Sequence, residues 1–167
     1  AIDTYPAIHS TPNINKNVPT ILVAEDNHEL ADFMFSELSS IYNVIIAGNG
    51  QKALDYISNY EIQLVISDVM MPILNGIELC RFIKEDIKTS HIPVILLTAK
   101  SALNAKIEGL ESGADAYISK PFSMDHVLVQ ISNLLENRRT ILGHYSSSPL
   151  AHLKSLSSSG SDQDFLS

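Results

Sequence analysis

The stretch PVILLT at residues 93–98 is a short, almost continuous apolar run that is rich in β-branched residues. A second run of this kind is TILVA at residues 20–24, and similar runs lie at Tyr42–Ala47, Gln63–Ser67 and Ala116–Ser119. Strands that are apolar on both faces are typical of parallel sheets covered on both sides by helices. We therefore expect five buried parallel strands.

The segments between these runs carry apolar residues at spacings of three and four, which place one apolar stripe on each helix. Representative positions are Leu30, Phe33, Met34 and Leu38; Ala53, Leu54 and Ile57; Ile77, Cys80 and Ile83; Leu103, Ile107 and Leu110; and Val127, Ile131, Leu134 and Leu135. Five strands that alternate with five helices predict an α/β protein with a doubly wound sheet, and we expect the flavodoxin-like strand order 2-1-3-4-5.

The two ends of the chain differ in composition from the centre. Residues 1–18 contain two prolines and three asparagines without a hydrophobic period, and nine of the last thirty residues are serine. We interpret residues 1–18 as a linker, residues 19–137 as the domain, and residues 138–167 as a Ser-rich linker toward a downstream domain. Because the first residue is Ala1 and not Met, we expect an internal piece of a longer protein.

The composition excludes several classes of function. The chain has 167 residues and a formal net charge of −8, which argues against binding of nucleic acid or an anionic membrane by this segment alone. Its one cysteine, Cys80, excludes a disulfide framework and favours a reducing, cytoplasmic location. No apolar run approaches the roughly 18 residues of a membrane helix.

Polar side chains follow the predicted strands at the edge where ligands bind in open α/β sheets. Glu25 and Asp26 follow the first strand, Asp68 the third, Thr98 ends the fourth and Lys120 follows the fifth. Clustered carboxylates must protonate, spread into water or hold a cation. Oxygen ligands with open positions favour Mg²⁺, which shares its coordination sphere with a phosphate.

A carboxylate beside such a cation can act as the nucleophile that accepts a phosphoryl group. The transferring group spreads its charge over three oxygens, and Mg²⁺, the Lys120 ammonium and the Thr98 hydroxyl could each contact one of them. Asp68 lies in the middle of the chain order and of the expected sheet. It is therefore our candidate for the nucleophile.

Five short blocks of this sequence resemble the receiver domain of two-component response regulators, which has the CheY-like form of this fold. The blocks are AEDN at 24–27, SDVMMP at 67–72, LNG at 74–76, LTA at 97–99 and YISKPF at 117–122. They occur in order and at fitting spacings between Thr20 and about Asn137. The resemblance implies a Mg²⁺-dependent phosphoacceptor domain that catalyses its own phosphorylation and slow dephosphorylation, while kinase activity belongs to another domain.

The resemblance also assigns roles to individual residues. It implies that Asp68 is phosphorylated, and that Asp26, Asp68 and the Met70 backbone carbonyl ligate Mg²⁺ directly. Glu25 stands where many members have Asp, and it is expected to act through a metal-bound water. Lys120 is expected to pair with the phosphate.

Thr98 and Tyr117 are implied to form the switch that reports phosphorylation. Thr98 would move toward the phosphate, and Tyr117 would rotate into the space that this movement leaves. The surface of the fourth helix, fifth strand and fifth helix would then change its partners, which include a second receiver. Met70 and Lys100 occupy positions that tune hydrolysis of the aspartyl phosphate, and an apolar Met70 predicts no fast self-hydrolysis.

The expected phosphodonor is a histidine kinase domain, in the same polypeptide or in another. The sequence NRR at 137–139, followed by SPL at 148–150, resembles the junction of bacterial hybrid sensor kinases in which a receiver precedes an AraC-type DNA-binding domain. This context implies control of transcription, with DNA bound only through a downstream domain. It also implies that this segment is cytoplasmic and does not contact the membrane, although the full-length protein can be membrane-anchored.

Three other functions are alternatives to phosphoacceptance on this fold. A flavin carrier on this fold needs a hydroxyl-rich phosphate loop after the first strand, where this chain has Glu25 and Asp26. A Mg²⁺ phosphatase with an aspartyl nucleophile needs a second Asp at the position of Met70. The remaining alternative is a pseudo-receiver, which is a binding module that is never phosphorylated.

Overall fold

The computed structural model describes residues 13–99 and 112–147, with side chains as far as Asn137. It contains one parallel sheet of five strands in the order β2-β1-β3-β4-β5, as predicted. The strands are β1 (Thr20–Ala24), β2 (Asn43–Ala47), β3 (Leu64–Asp68), β4 (Val94–Thr98) and β5 (Ala116–Ser119). Four of the five predicted helices fall within the described residues, and the helix predicted around Leu103, Ile107 and Leu110 lies outside them.

The helices are α1 (His28–Leu38), α2 (Gly50–Asn59), α3 (Gly76–Glu85) and α4 (Met124–Ser147). An asparagine precedes each of the first three helices, and its side chain accepts a backbone N–H of the first turn. At α3 the cap is reciprocal, because the Glu78 side chain also accepts the Asn75 N–H at 3.0 Å. These caps fix where each helix begins after its strand.

The core lies between the sheet and the helices that cover it. Alternate strand residues pack with the apolar stripe of α3, which includes Leu79, Cys80 and Ile83. Helix α1 contacts β1 and β2 and buries Ala31, Met34 and Leu38. Four of the five strands are buried along their whole length or nearly so, and this explains their continuous apolar composition.

Hydrogen bonds and helical structure are found on both sides of the predicted boundaries at positions 19 and 137. Ile14 packs against the core, and the Asn15 N–H donates to Asn43 Oδ1 at 2.9 Å, so part of the predicted linker over residues 1–18 is attached to the sheet. The compact unit that holds the sheet reaches Ile131, and α4 continues as helix to Ser147, ten residues into the predicted Ser-rich linker. Among the described residues, no helix combines the length and the apolar character needed to cross a membrane.

Candidate active site

Three carboxylates meet at the carboxyl edge of the sheet. Glu25 and Asp26 follow β1 and Asp68 ends β3, and these strands are neighbours, with Ala24 paired to Ser67. One oxygen of each carboxylate lies within 4.8 Å of an oxygen of the other two. Glu25 is only 1% exposed and Asp68 only 6%, whereas Asp26 is exposed. The predicted acidic cluster therefore exists, with two buried members and one open to solvent.

Lys120 brings a positive charge to this cluster. Its Nζ lies 3.3 Å from Asp68 Oδ1 and 3.6 Å from Glu25 Oε1. The Lys120 backbone N–H donates to the Thr98 carbonyl at 2.6 Å, which fixes the residue just past the paired ends of β4 and β5. The peptide bond between Lys120 and Pro121 is cis. The Lys120 side chain therefore lies within ion-pair distance of both Asp68, the nucleophile candidate, and Glu25.

The carboxylates are held in an unfavourable electrostatic environment. Burial, followed by the negative charge of Asp68, raises the pKa of Glu25 to about 7, although the Asn27 N–H and Lys120 oppose this shift. Burial also raises the pKa of Asp68, against the effects of Lys120 and the Met70 N–H, which hydrogen-bonds to the carboxylate. A second positive charge at this site, in addition to Lys120, would favour the ionised forms of both Glu25 and Asp68.

The donor set fits a hard divalent cation. All three grouped side chains offer carboxylate oxygens, and the exposed Asp26 leaves one side open for water or phosphate. Imidazole or thiolate ligands, which softer metals prefer, do not join this cluster in the described part of the chain. Mg²⁺ therefore fits the site on the chemistry of its ligands.

The backbone around Asp68 leaves no room for a side chain at Gly76. A Cβ there would lie 2.2 Å from the Asp68 carbonyl oxygen and 3.0 Å from Ser67 Oγ. The Gly76 N–H donates to the Val69 carbonyl at 2.9 Å, and the Ser67 hydroxyl donates to the Asp68 carbonyl at 2.9 Å. This close approach places the start of α3 directly behind the nucleophile candidate.

The two predicted switch residues lie on the neighbouring strands. Thr98 is fully buried at the end of β4, in register with Ser119. Tyr117 pairs with Leu96, two residues before the edge, and its ring packs against the core. Its hydroxyl oxygen is buried and has no hydrogen-bond partner among the residues that the structure describes. Lys100, which we also singled out, lies outside those residues.

Sequence reasoning did not find two parts of this site. The Asn27 N–H donates to Glu25 Oε2 at 3.1 Å, which orients a carboxylate that is otherwise nearly free of solvent. The steric role of Gly76 was also missed. A glycine directly after an asparagine cap and eight residues after a strand-ending aspartate was the available signal for it.

These features define a class of protein: a parallel five-stranded α/β domain with an acidic pocket and a lysine at its carboxyl edge. The family model described as the response regulator receiver domain matches residues 21–132. The chain belongs to this family.

Individual relatives agree with this assignment. The chain is 50% identical over 131 residues to Histidine kinase P4 of Formosa agariphila, covering 78% of this chain and 10% of that protein. It is 40% identical over 119 residues to the response regulator ArlR of Staphylococcus aureus, covering 71% of this chain and 53% of the relative. The chain thus spans about a tenth of the first relative and about half of the second.

A solved structure gives the same picture. The signal receiver domain of a signal transduction histidine kinase from Syntrophus aciditrophicus superposes with a TM-score of 0.68 at 34% identity, covering 71% of this chain and 91% of that one. Regions similar to this chain therefore occur in proteins named as histidine kinases and in proteins named as response regulators.

Proposed function

We propose that this domain accepts a phosphoryl group on Asp68 from a phosphohistidine of a histidine kinase, as one step of a two-component phosphorelay. The observation that carries the proposal is the position of Asp68. Its carboxylate is nearly buried, lies 3.3 Å from the Lys120 ammonium, and shares a cation-type site with Glu25 and Asp26.

In the transfer, a carboxylate oxygen of Asp68 attacks the phosphorus atom of the phosphohistidine. A bond between this oxygen and phosphorus forms while the phosphorus–nitrogen bond breaks, and its electron pair remains on the imidazole, which takes a proton from solvent. Lys120 neutralises the charge that accumulates on the phosphoryl oxygens. Thr98, buried at the end of the next strand, is assigned the hydroxyl contact with the same oxygens.

We assign a Mg²⁺ site to Asp26, Asp68 and the Met70 backbone carbonyl, with Glu25 acting through a bound water. When present, Mg²⁺ reduces the repulsion between the carboxylates and the incoming phosphoryl group. The raised pKa values of Glu25 and Asp68 support this assignment, because burial and the neighbouring carboxylates disfavour their ionised forms and a bound cation would favour them.

Phosphorylation is proposed to act on partners through Thr98 and Tyr117. The Tyr117 hydroxyl is buried without a partner among the described residues, so rotation of the ring into the space that Thr98 leaves would cost it no hydrogen bond to them. Movement of Tyr117 would change the surface around β5 and the start of α4, together with the predicted fourth helix. We propose this surface as the docking site for a second receiver or an output domain.

For the whole protein we propose a hybrid sensor kinase that carries an AraC-type output domain and controls transcription. Similarity to Histidine kinase P4 supports the hybrid arrangement, in which the phosphodonor belongs to the same polypeptide. DNA would then be bound by the downstream domain alone, and the receiver would lie in the cytoplasm.

The proposal is tested by the intact mass of the chain after incubation with acetyl phosphate, with and without Mg²⁺. We expect one added phosphoryl group with Mg²⁺, none without it, and none in Asp68→Asn. Asp55→Asn, an exposed aspartate on α2, is the matched control and should be labelled normally. No adduct under rapid quenching would contradict phosphoacceptance and favour the pseudo-receiver.

A further inference from the structure

The peptide unit between Asp68 and Val69, directly after the nucleophile candidate, is held on both sides. Its carbonyl, which belongs to Asp68, accepts the Ser67 hydroxyl at 2.9 Å. Its N–H, which belongs to Val69, donates to the Leu97 carbonyl of β4 at 2.9 Å. Because each of its polar groups has a partner, this peptide unit cannot rotate without the loss of a hydrogen bond.

The next peptide unit, between Val69 and Met70, is held in the same way. Its carbonyl accepts the Gly76 N–H at 2.9 Å, and its N–H hydrogen-bonds to the Asp68 carboxylate. The carbonyl that follows belongs to Met70 and is the backbone ligand that we assign to Mg²⁺. Its position therefore depends on the orientation of the two peptide units before it.

The Ser67 hydroxyl differs in kind from the other groups that hold these two peptide units. The Leu97 carbonyl and the Gly76 N–H belong to the backbone, and the Asp68 carboxylate is itself the candidate nucleophile. Ser67 has no assigned part in the chemistry, and yet its side chain holds the peptide unit of the nucleophile candidate. A substitution at this position can therefore release that peptide unit and leave every proposed reacting group in place.

Burial makes the Ser67 hydrogen bond costly to lose. Ser67 is 0% exposed, and a Cβ built on Gly76 would lie 3.0 Å from its Oγ and 2.2 Å from the Asp68 carbonyl oxygen. The start of α3 therefore covers both atoms and leaves little room for a water molecule in place of the hydroxyl. A buried carbonyl that loses its donor is destabilised, so its peptide unit would turn toward another donor.

We propose that Ser67 is a positioning residue for the metal site, an inference that rests on the proposed function. Its hydroxyl fixes the peptide unit after Asp68 and thereby keeps the Met70 carbonyl and the Asp68 carboxylate in the relative position that Mg²⁺ requires. Ser67 contacts neither the cation nor the phosphoryl group in this role. Its loss should therefore weaken Mg²⁺ binding, and should slow phosphoryl transfer only through that weaker binding.

The test measures Mg²⁺ affinity by isothermal titration calorimetry and, separately, labelling by acetyl phosphate over a range of Mg²⁺ concentrations. The chains are the unsubstituted chain, Ser67→Ala, Ser67→Thr, which keeps the hydroxyl, and Thr89→Val. Thr89→Val is the matched control, because the Thr89 hydroxyl also donates to a backbone carbonyl, that of Ile83 at 2.7 Å, past the far end of α3. Urea unfolding of each chain measures the accompanying change in stability.

We expect Ser67→Ala to bind Mg²⁺ about tenfold more weakly, the factor that corresponds to one hydrogen bond, and to need about tenfold more Mg²⁺ for half-maximal labelling. At saturating Mg²⁺ its labelling rate should approach that of the unsubstituted chain. Ser67→Thr should bind Mg²⁺ almost as the unsubstituted chain does. Thr89→Val should lose stability and retain its full affinity for Mg²⁺.

Unchanged Mg²⁺ affinity in folded Ser67→Ala, or an equal loss of affinity in Thr89→Val, would overturn the role of Ser67. If Ser67→Ala does not fold, Ser67→Cys replaces it, because a thiol is a weaker donor, and an unchanged Mg²⁺ affinity in that variant overturns the role equally. Absent labelling of the unsubstituted chain at every Mg²⁺ concentration would instead contradict the proposed function, and the calorimetric affinities would still test Ser67.

Discussion

The polar groups at the amino ends of the strands (the amino edge of the sheet) and at their carboxyl ends (the carboxyl edge) are paired to different extents. At the amino edge, Asn43 begins β2, and its side-chain oxygen accepts the Asn15 N–H. Its side-chain nitrogen shares two hydrogens among three acceptors, the Asn15 carbonyl, the Val18 carbonyl and the Thr20 hydroxyl. At the carboxyl edge, three clustered carboxylates have the ammonium of Lys120 between two of them.

The amino edge also contains an ion pair whose members form further hydrogen bonds to the backbone. Lys84 Nζ lies 2.9 Å from Asp115 Oδ2 and donates to the Ile92 carbonyl at 2.7 Å. The same Asp115 oxygen accepts the Val94 N–H at 2.8 Å, at the start of β4. These contacts join α3, β4 and the segment before β5.

The polar residues at the amino edge therefore stabilise the fold, whereas those at the carboxyl edge are arranged to bind a ligand. Charges at the amino edge balance one another, and their hydrogen bonds tie chain segments together. At the carboxyl edge, burial and, to a smaller extent, the excess of negative charge raise the pKa values of Glu25 and Asp68. We infer that the carboxyl edge is built for a cation and a phosphoryl group.

The largest expected effect comes from replacing the lysine at the carboxyl edge, and replacement of the lysine at the amino edge serves as its comparison. Lys120→Met should slow labelling of Asp68 by acetyl phosphate by about 100-fold or more, because a preorganised positive charge near the phosphoryl oxygens is lost. Lys84→Met should leave the labelling rate unchanged and lower the melting temperature. Similar labelling rates for the two variants would remove the distinction between the edges.

The pH dependence of stability should come from the carboxyl edge. Because Glu25 has a pKa of about 7 when folded and 4.5 as its ordinary value, the folded state binds more protons between these pH values. The unfolding free energy without metal should therefore fall as pH rises from 4.5 to 7, by at most about 3 kcal/mol from this residue.

Urea unfolding in the presence of a chelator, at several pH values, measures this dependence. Glu25→Gln should flatten the decline and leave the part that Asp68 contributes, since its pKa is raised as well. Added Mg²⁺ should reduce the slope in the unsubstituted chain. An identical slope in Glu25→Gln would show that Glu25 is not the titrating group.

Substitutions at the amino edge should change the stability of the fold but not the rate of phosphorylation. Asp115→Ala leaves the Val94 N–H and Lys84 without their partner, and we expect it to lower the unfolding free energy by about 1–3 kcal/mol. Urea unfolding measures the loss, and Glu61→Ala, at an exposed position, is the control with little effect. Slower phosphorylation of Asp115→Ala in its folded state would contradict a purely structural role.

The smallest effect concerns the turn between β3 and α3, where Ile73 has a φ of 72°, which is strained for a β-branched residue. Ile73→Gly should stabilise the fold by about 0.5–1 kcal/mol, because relief of the positive φ exceeds the added flexibility of the unfolded chain. Thermal unfolding measures the change. Ile87→Gly, where φ is not positive, should give no such gain, and equal effects at the two positions would argue against strain at Ile73.

The sequence alone predicted the sheet well, because its strands are buried on both faces and read as apolar runs. The predicted Tyr42–Ala47 begins one residue before the observed Asn43–Ala47, and the predicted Gln63–Ser67 is shifted by one residue at both ends from the observed Leu64–Asp68. The grouping of Glu25 with Asp68 followed from strand order, since parallel strands bring their carboxyl ends to one edge.

Other features depend on contacts between residues that are far apart in the sequence, which a local sequence pattern cannot predict. The attachment of Asn15 to Asn43 joins residues 28 positions apart, so the segment before β1 reads as an ordinary linker. The raised pKa of Glu25 requires its depth in the fold as well as its neighbours. The positive φ of Ile73 opposes the preference of its residue type, and no sequence rule would predict it.

The identity of the phosphorylated residue tests the central claim most directly. Borohydride reduces an aspartyl phosphate to homoserine, so treatment of the chain after acetyl phosphate and Mg²⁺ marks the acceptor, which peptide mass spectrometry then locates. We predict homoserine at position 68 and aspartate retained at position 26 and at position 115 on the opposite edge. Homoserine at either of those positions, or a phosphorylated chain with unmodified Asp68, would contradict the account.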